Sequence, residues 1–581
     1  MATDTRGSEA RIDEEPAVEI DLSDVLESVR DAYQYMEMPV ERYLLLVLLP
    51  SSVFAGFLFV AVLVLGPSFV VAGPLLLLGA FMPLVALIYP LLVRDRHRKQ
   101  IREQFYIFVT HITVLSTTNI DRVEVFRTLA NEPEYKAIAT EMGHIVALID
   151  TWNQSLEDAC RMRANHVPSP LMADFLDRLA YTVGAGQNMS EFLFSEQDSI
   201  IQHYITRYES DLDRLSVIKD IYMSIVLSAT FGLVFATIIP FLVGVDPLFT
   251  LSAVIVMFVF IEGMFVYVMN NVAPSDPVWY TGGDFSLDRS VRIRISLMVG
   301  VGLSLVTAAG CYAMLNGYVL GPDTFPHSVY MALPFTPLVL PGLVMRQEEQ
   351  GVKHRDEEFP SFIRALGAIE SVKQSSTSTV LTSLRKKDFG SLTDAIANLY
   401  RRLNMRIDSE QAWAHFSAET GSFLIQKFSD MYVAGRQMGG EPRELGTLIS
   451  RNYTETLNLR KKRAQETGTV IGVIYGVTGT SAFAFFVGLE VVRVLKDITA
   501  QMNVASSVVG TLLHAQVYNI PEVQFLLFIA VLINALFSSL MIRVVDRGHS
   551  MTSLLHFVVL VWMSALTAIV TRMLVTSFLS L

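Results

Sequence analysis

Charged residues are scarce in this sequence. Asp, Glu, Lys and Arg make up 18% of its 581 residues, whereas about 25% is usual in a soluble protein. The apolar residues give a mean hydropathy of +0.42 and gather in runs of about 20 residues, long enough to cross a bilayer as a helix. A soluble enzyme is therefore excluded as the default interpretation, and the predicted fold class is an all-α polytopic membrane protein.

Cysteine is also scarce, since the chain has only Cys160 and Cys311. Two thiols cannot build a disulfide framework or a cysteine-based zinc site. The sequence lacks a Gly-Lys-Ser/Thr phosphate loop, a His-Glu-x-x-His zinc helix and a Gly-x-Ser-x-Gly nucleophile turn. We therefore expect no catalytic residue, no metal ligand and no cofactor, and a membrane enzyme or a signalling receptor gains no support.

Nine hydrophobic segments have the length and composition of transmembrane helices. They cover residues 43–66, 69–93, 222–244, 248–272, 295–315, 327–345, 470–492, 523–545 and 554–578. Lys and Arg cluster directly after the second and sixth segments and directly before the fifth and seventh. The positive-inside rule then predicts a protein of the cell membrane with a cytoplasmic N-terminus and an external C-terminus.

The other residues form three polar parts. Residues 1–42 are an acidic N-terminal segment, with twelve acids against three bases in the first 41 residues, and they are either a solvated lead-in or an arm that binds a partner. Residues 94–221 and 346–466 are polar blocks with apolar residues at helical spacing, and we predict that both are cytoplasmic helical bundles. The membrane parts of the chain are 43–93, 222–345 and 467–581.

The two polar blocks resemble each other in sequence. Ser169-Pro-Leu-Met-Ala-Asp-Phe-Leu-Asp in the first block corresponds to Ser422-Phe-Leu-Ile-Gln-Lys-Phe-Ser-Asp in the second. Further matched pairs keep the same offset near 253 residues: Glu157 and Glu410, Ala159 and Ala412, Gly186 and Gly439, Glu191 and Glu444. A constant offset over about 80 residues, ahead of a membrane segment each time, predicts a duplicated unit.

A glycine-rich turn recurs near the end of each block. In the second block it reads Gly439, Gly440, Glu441 and Pro442. Glycine supplies the positive φ that ends one helix, and proline fits the first turn of the next helix. A plain turn between two helices is favoured here over a loop that binds a ligand.

These patterns together resemble the platform proteins of type IV filament and type II secretion machines. The F-type domain of that family is similar to Phe359-Pro-Ser-Phe-Ile, Asp408-Ser-Glu-Gln-Ala-Trp and Gly439-Gly-Glu-Pro-Arg-Glu-Leu-Gly446 in the second block. About nine spans exceed the three that are usual in bacterial pilus platforms. The enlarged membrane part and the acidic segment look more like the archaeal branch of the family, which assembles the archaellum.

The resemblance implies a mechanical role rather than an enzymatic one. Such a platform lies in the membrane beneath a growing filament and couples a cytoplasmic hexameric ATPase to the insertion of pilin or archaellin subunits, with filament rotation as a further output. Its expected partners are that ATPase, the filament subunits, membrane lipid and a second copy of the chain, without nucleic acid. The sequence leaves open whether the filament is an archaellum or an adhesive pilus.

A basic cluster in the second block is the candidate docking site for the ATPase. It consists of Arg385, Lys386, Lys387, Arg401, Arg402 and Arg406. The cluster lies far from either neighbouring span, so the positive-inside rule does not explain it. A basic patch that faces an acidic surface would speed and orient docking. The alternative is an ordinary solvated helix face.

The seventh span has a small residue at every fourth position. This ridge contains Gly468, Gly472, Gly476, Thr480 and Ala484. Small residues at this spacing let a second helix approach closely in a membrane. The second helix could belong to the same chain, which we favour slightly, or to a second copy.

A polytopic secondary transporter is the alternative function. Transporters place ionisable residues and broken helices near the middle of the membrane. The candidates here are Glu262 in the fourth span, His556 in the ninth, and prolines at positions 240, 334, 337 and 341. Because the repeat is centred on the two cytoplasmic blocks rather than on the spans, we favour the platform.

Overall fold

A computed structural model describes residues 40–65, 69–118, 120–280, 287–318, 325–373, 377–501 and 519–579. The acidic segment predicted at residues 1–42 lies outside the described residues except for its last three positions. Within the described ranges almost every residue is helical, and strand pairing is limited to one antiparallel bridge between Trp279 and Ser422. The predicted all-α class is confirmed.

The chain forms eighteen helices within these ranges, apart from shorter helical turns. They are α1 Leu49–Leu65, α2 Phe69–Ser116, α3 Arg122–Ala130, α4 Ala137–Trp152, α5 Leu156–Ala164, α6 Pro170–Gly184, α7 Met189–Val243, α8 Pro247–Val272, α9 Leu287–Leu315, α10 His327–Ala332, α11 Val339–Lys373, α12 Thr377–Leu384, α13 Thr393–Asn404, α14 Ser409–Thr420, α15 Phe423–Gln437, α16 Pro442–Gln501, α17 Ile520–Asp546 and α18 Thr552–Leu579.

Seven helical stretches of the described residues are long and apolar enough to cross a bilayer. They contain the third to ninth predicted spans and correspond to α7, α8, α9, α10 with α11, α16, α17 and α18. The first two predicted spans, 43–66 and 69–93, fall on α1 and the start of α2, where only some side chains are described. The polytopic class is thus confirmed, and the total of nine spans stays a prediction.

The sixth span is interrupted at its prolines. Residues Leu333–Leu338 form a 3-10 turn between α10 and α11, and this turn contains Pro334 and Pro337. The Ser304 hydroxyl of α9 donates a hydrogen bond to the Pro334 carbonyl at 2.6 Å. At this interruption the Ser304 hydroxyl thus supplies the Pro334 carbonyl with a hydrogen-bond partner. Backbone polar groups in an apolar membrane need such partners.

Three helices continue past the predicted boundaries between polar blocks and spans. Helix α7 has 55 residues, α11 has 35 and α16 has 60. At 1.5 Å per residue, α16 is about 90 Å long, which is much longer than the roughly 30 Å thickness of a bilayer core. The second polar block is thus joined to the membrane part by unbroken helices rather than by loops.

The contacts divide the chain into two compact units. The first contains Met1–Phe108 and Asp121–Phe192, and the second contains Val109–Ile120 and Leu193–Leu581. This division does not follow the predicted boundaries of the first block, because residues 109–120 and 193–221 belong to the second unit. The domain limits given in the sequence analysis therefore stay predictions.

Aromatic side chains form the core of each helical bundle. In the first unit the Phe105 and Phe175 rings meet edge to face, with centroids 5.5 Å apart. In the second unit Phe359 packs on Tyr453 with centroids 5.0 Å apart, and Phe362 lies 5.9 Å from Phe416. All five of these phenylalanines and Tyr453 are buried.

The helix bounds of the two bundles correspond at an offset of 253 residues. Helices α5, α6 and α7 begin at Leu156, Pro170 and Met189, and α14, α15 and α16 begin at Ser409, Phe423 and Pro442. The left-handed residues between these helices also correspond: Asn153 with Arg406, and Gly186 with Gly439. The sequence offset is thus also an offset in backbone conformation.

Candidate functional site

The basic cluster is assembled from the ends of two neighbouring helices. Arg385, Lys386 and Lys387 follow α12 and are exposed. The Arg385 guanidinium carbon lies 4.6 Å from the centre of the Tyr400 ring on α13. This cation–π contact brings the first half of the cluster next to the end of α13, where the other basic residues lie.

The second half of the cluster is partly used within the bundle. Arg401 is exposed and donates a hydrogen bond to Asn398, whereas Arg402 is only partly exposed and pairs with Glu419 of α14. Arg406 is exposed at a left-handed position with φ of 59°. We call the five exposed cations the basic surface; they are Arg385, Lys386, Lys387, Arg401 and Arg406. Arg402 mainly stabilises the bundle.

The glycine-rich turn is closely packed. Gly439 has φ of +85°, which favours glycine. A Cβ added at Gly440 would lie 2.8 Å from the Gly435 carbonyl oxygen and 2.9 Å from Leu445. The Arg436 guanidinium donates to the Gly440 carbonyl at 2.8 Å and to the buried Glu370 carboxylate at 3.1 Å. These contacts, together with Pro442 at the start of α16 and the Glu441 carboxylate that accepts from the Glu444 amide at 2.7 Å, fit a structural turn.

The small-residue ridge of the seventh span faces away from the described residues of its own chain. Among the described residues, nothing lies within 4 Å of a Cβ added at Gly468, Gly472 or Gly476. Thr480 is exposed and Ala484 is partly exposed. Gly488, on another side of the same helix, behaves differently, because a Cβ there would lie 3.4 Å from Val234 of α7. The ridge is therefore an open surface on α16.

Glu262 is fully buried on α8 within the membrane part. Neither of its carboxyl oxygens has a hydrogen-bond partner among the described residues, and the Tyr222 hydroxyl has none there either. The other deep candidate, His556, is instead bonded through Nδ1 to the Tyr475 hydroxyl at 2.9 Å. Because an ionised carboxylate without a partner is very costly in an apolar interior, this environment favours a neutral Glu262.

A buried ionic cluster of the second unit, which sequence reasoning missed, lies beside the membrane part. Arg460 of α16 binds Asp276 through Nη2 at 2.8 Å and Asp356 of α11 through Nη1 at 2.7 Å. The Tyr453 hydroxyl donates to Asp356 at 2.9 Å, and the Ser422 hydroxyl donates to it as well. We call these five residues the juxtamembrane cluster.

Burial sets the electrostatics of the juxtamembrane cluster. The Arg460 and Asp276 side chains are 14% and 10% exposed, and that of Asp356 is 2% exposed. Burial raises the pKa of the Asp356 carboxyl above its usual range, although the Arg460 charge opposes the shift. Burial alone would lower the pKa of Arg460, but the carboxylates of Asp276 and Asp356 raise it above its ordinary value. The arginine is thus a permanent cation between two acids.

A cavity of about 180 Å³ lies beside the juxtamembrane cluster. Its charged lining comes from the segment after α8, from α11 and α16, and from the end of α17 with the residue that follows it. The residues are Asp276, Lys353, Asp356, Glu357, Arg460, Lys461, Arg463, Asp546 and Arg547. The described residues contain no group of three or more His, Cys, Asp or Glu side chains that could hold a metal ion. The charged side chains around this cavity can form ion pairs and bind water, and their arrangement does not resemble a catalytic centre.

The sequence carried only a partial signal for this cluster. Arg460 belongs to the run of bases that precedes the seventh span, which the sequence analysis used only for topology. Its partners lie 184 and 104 residues away in the chain, so no local pattern connects them. An aspartate between two prolines, Asp276 after Pro274 and before Pro277, is the one feature that could have drawn attention to this segment.

Comparisons with known proteins place the chain among secretion and flagella accessory proteins. The family model described as "Type II secretion system (T2SS), protein F" matches residues 108–237. The chain is 32% identical over 545 residues to "Flagella accessory protein J" of Methanocaldococcus jannaschii, covering 92% of this chain and 96% of the relative. It is 34% identical over 514 residues to "Flagella accessory protein J" of Methanococcus voltae, covering 88% and 91%. No solved structure matches the chain.

Proposed function

The chain belongs to the Flagella accessory protein J family, and on that premise we propose that it couples a cytoplasmic hexameric ATPase to the insertion of archaellin-like subunits. It is a multi-pass membrane platform of filament-assembly machinery. The finer steps, which are ATPase coupling, subunit insertion and filament rotation, are our proposal. The resemblance described from the sequence is confirmed.

One observation carries the coupling proposal. Helices α11 and α16 run unbroken from the second bundle into the membrane part. A force applied to the bundle would therefore reach the membrane helices through continuous helices rather than through flexible loops. This is the property that a motor needs in the part it acts on, and it requires no chemistry in the platform itself.

The basic surface is the proposed point of ATPase docking. Its five cations are exposed on one bundle of a chain whose net charge is −12. Local positive charge in an acidic protein attracts an acidic partner and orients it during association. The exposed Met405, placed between Arg401 and Arg406 in sequence, adds an apolar contact to this surface.

A double charge reversal tests the docking proposal. We expect Arg385→Glu with Lys386→Glu to insert normally and to lose at least about tenfold in affinity for the ATPase, because like charges would then face each other. The matched control reverses Arg364 and Arg443, which are also exposed on the second bundle but outside the basic surface. Affinity is measured with the full-length protein in detergent at two salt concentrations. Equal affinity of the test variant and the wild type would refute docking at this surface.

We further propose that the small-residue ridge on α16 packs against the same ridge of a second copy. The open space at Gly468, Gly472 and Gly476 supports this, because intrachain packing, which we favoured from the sequence, would fill it. Small residues let two helix backbones approach closely in a bilayer.

The duplication of the cytoplasmic bundles also remains a proposal. Its support is the agreement of helix starts and left-handed residues at an offset of 253 residues. We do not propose secondary transport, because the relatives that match about 90% of the chain are named for flagella.

A further inference from the structure

The segment after α8 lies against the second bundle instead of forming a free loop. We call residues 273–280 the connector. Trp279 of the connector pairs with Ser422 in an antiparallel bridge. The Tyr280 amide donates to the Gly421 carbonyl at 3.0 Å, and the Phe423 amide donates to the Val278 carbonyl at 3.0 Å. Two backbone hydrogen bonds thus attach a membrane-helix connection to the bundle.

The connector binds at a joint between two bundle helices. Gly421, with φ of 67°, ends α14, and the Ser422 hydroxyl accepts a hydrogen bond from the Ile425 amide at the start of α15. The same hydroxyl donates to Asp356. A shift of α15 relative to α11 would therefore act directly on the connector.

The juxtamembrane cluster fixes the middle of the connector by charge. Asp276 of the connector receives hydrogen bonds from Arg460 through both Nε and Nη2, at 3.0 and 2.8 Å. A two-point contact of this kind restricts orientation as well as distance. Since Arg460 also binds Asp356, the connector, α11 and α16 share one cation.

The start of the connector is held by two further arginines. Arg463 of α16 donates to the Pro274 carbonyl at 3.2 Å and to the Val545 carbonyl at 2.6 Å. Arg547, which follows α17, donates to the Ala273 carbonyl at 2.7 Å. Both guanidinium groups thus bind backbone oxygens where α8 ends, so the end of α8 is attached to α16 and to the α17 end.

We propose that the connector is a transmission element that stays attached to the second bundle while the bundle moves, so that α8 moves with it. This inference rests on the proposed function, in which a motor acts on the second bundle. Loss of one partner from a buried ion pair is strongly destabilising, because it leaves a buried charge without compensation. We therefore expect the connector to stay attached throughout the cycle. Arg460 is then a positioning residue for coupling rather than a residue that touches the ATPase.

A reversible crosslink tests whether the connector must open. The pair Trp279 and Ser422 lies between its two flanking hydrogen bonds, a geometry with Cα atoms about 4.5 Å apart, which suits a disulfide. The full-length variant carries Trp279→Cys and Ser422→Cys, with Cys160 and Cys311 replaced by Ala. The reference is the same variant kept reduced, so that loss of the Ser422 hydroxyl contacts affects both forms alike, and the cysteine-free chain controls for the oxidant itself. We expect filament assembly to be equal in the oxidised and the reduced form. Loss of assembly only in the oxidised pair would overturn the proposal.

Weakening the connector should uncouple assembly from docking. We expect Asp276→Asn to keep ATPase binding but to lower filament assembly by at least about fivefold, a typical coupling effect. The matched control is Asp198→Asn, which removes the exposed ion pair with Arg451 at 3.1 Å elsewhere in the same unit. Combining Asp276→Asn with the 279–422 cysteine pair should restore assembly when the folded, ATPase-binding protein is oxidised, whereas the reduced form of the same variant should stay impaired.

The experiments distinguish a failure of the connector proposal from a failure of the docking proposal. If Asp276→Asn assembles filaments as well as the wild type, or if the oxidised crosslink gives no rescue, the connector does not transmit motion. If reversing Arg385 and Lys386 leaves ATPase affinity unchanged, it is the docking proposal that fails.

Discussion

At the residue scale, the charge state of Glu262 separates a platform from a transporter. Proton relays in pumps and transporters use ionisable groups within the membrane, such as carboxyl groups, that change their charge during the cycle. Glu262 is instead fully buried, and neither oxygen is hydrogen-bonded within the described residues. A platform needs no such change, and a permanently neutral side chain at this position would serve it equally well.

Substitution of Glu262 tests this argument. We expect Glu262→Gln, which is neutral and of similar size, to change the free energy of unfolding by less than about 1 kcal/mol and to leave filament assembly intact. Glu262→Lys should destabilise the protein by several kcal/mol, because it buries an uncompensated charge. Both are measured as thermal melting in detergent beside an assembly assay. An equal loss of stability in the two variants would indicate an ionised, paired Glu262.

Residues differ in how far the sequence can predict their roles. The turn at Gly439 is predictable because glycine supplies the left-handed conformation locally, and the φ of +85° in the structure agrees. Arg460 is not predictable, because its role depends on Asp276 and Asp356, which only the tertiary fold brings within 3 Å. Basic residues next to a span are first interpreted as topology signals, so the structural role of a residue such as Arg460 is overlooked.

At the element scale, the sequence predicts where helices cross the bilayer but not how far they continue. Hydropathy locates the seventh span at 470–492, yet α16 runs from Pro442 to Gln501. The polar turns before the span keep a helical pattern, and no proline interrupts them. Hydropathy marks only the boundary between water and lipid, so it does not predict how far a helix continues beyond that boundary.

The orientation of α16 makes the ridge testable at this scale. We expect Gly472→Leu with Gly476→Leu to convert a detergent-solubilised dimer to a monomer with little change in melting temperature, because that face is open within its own chain. Gly488→Leu should lower the melting temperature, since overpacking against α7 typically costs about 1–3 kcal/mol. Mass is measured by light scattering during size-exclusion chromatography. A ridge variant that melts early and stays dimeric would favour intrachain packing.

At the scale of the whole molecule, the two bundles share one helical plan but differ in charge. Asn153 of the first bundle corresponds to Arg406 of the second, and both are left-handed. The shared conformation is fixed by the turn, whereas the side chain is free to change. One of two bundles with corresponding turns can thus present a basic surface while the other does not, which fits a single docking bundle.

The proposed topology is the property on which every cytoplasmic role depends. It places the basic surface inside the cell and the end of α9 outside. Tyr318, which follows α9, is exposed, and so is Lys386 of the basic surface. Single cysteines at these two positions, in a chain with Cys160 and Cys311 replaced, therefore report the two sides of the membrane.

We expect a membrane-impermeant maleimide to label Tyr318→Cys in intact cells and to label Lys386→Cys only after the membrane is opened. The cysteine-free chain controls for background labelling, and labelling of both sites after lysis shows that each is reachable. The positive-inside rule gives the physical reason, because the bases flank the spans on the side that keeps Lys386 inside. The reverse pattern would put both bundles outside the cell, where neither a cytoplasmic ATPase nor the connector could act as proposed.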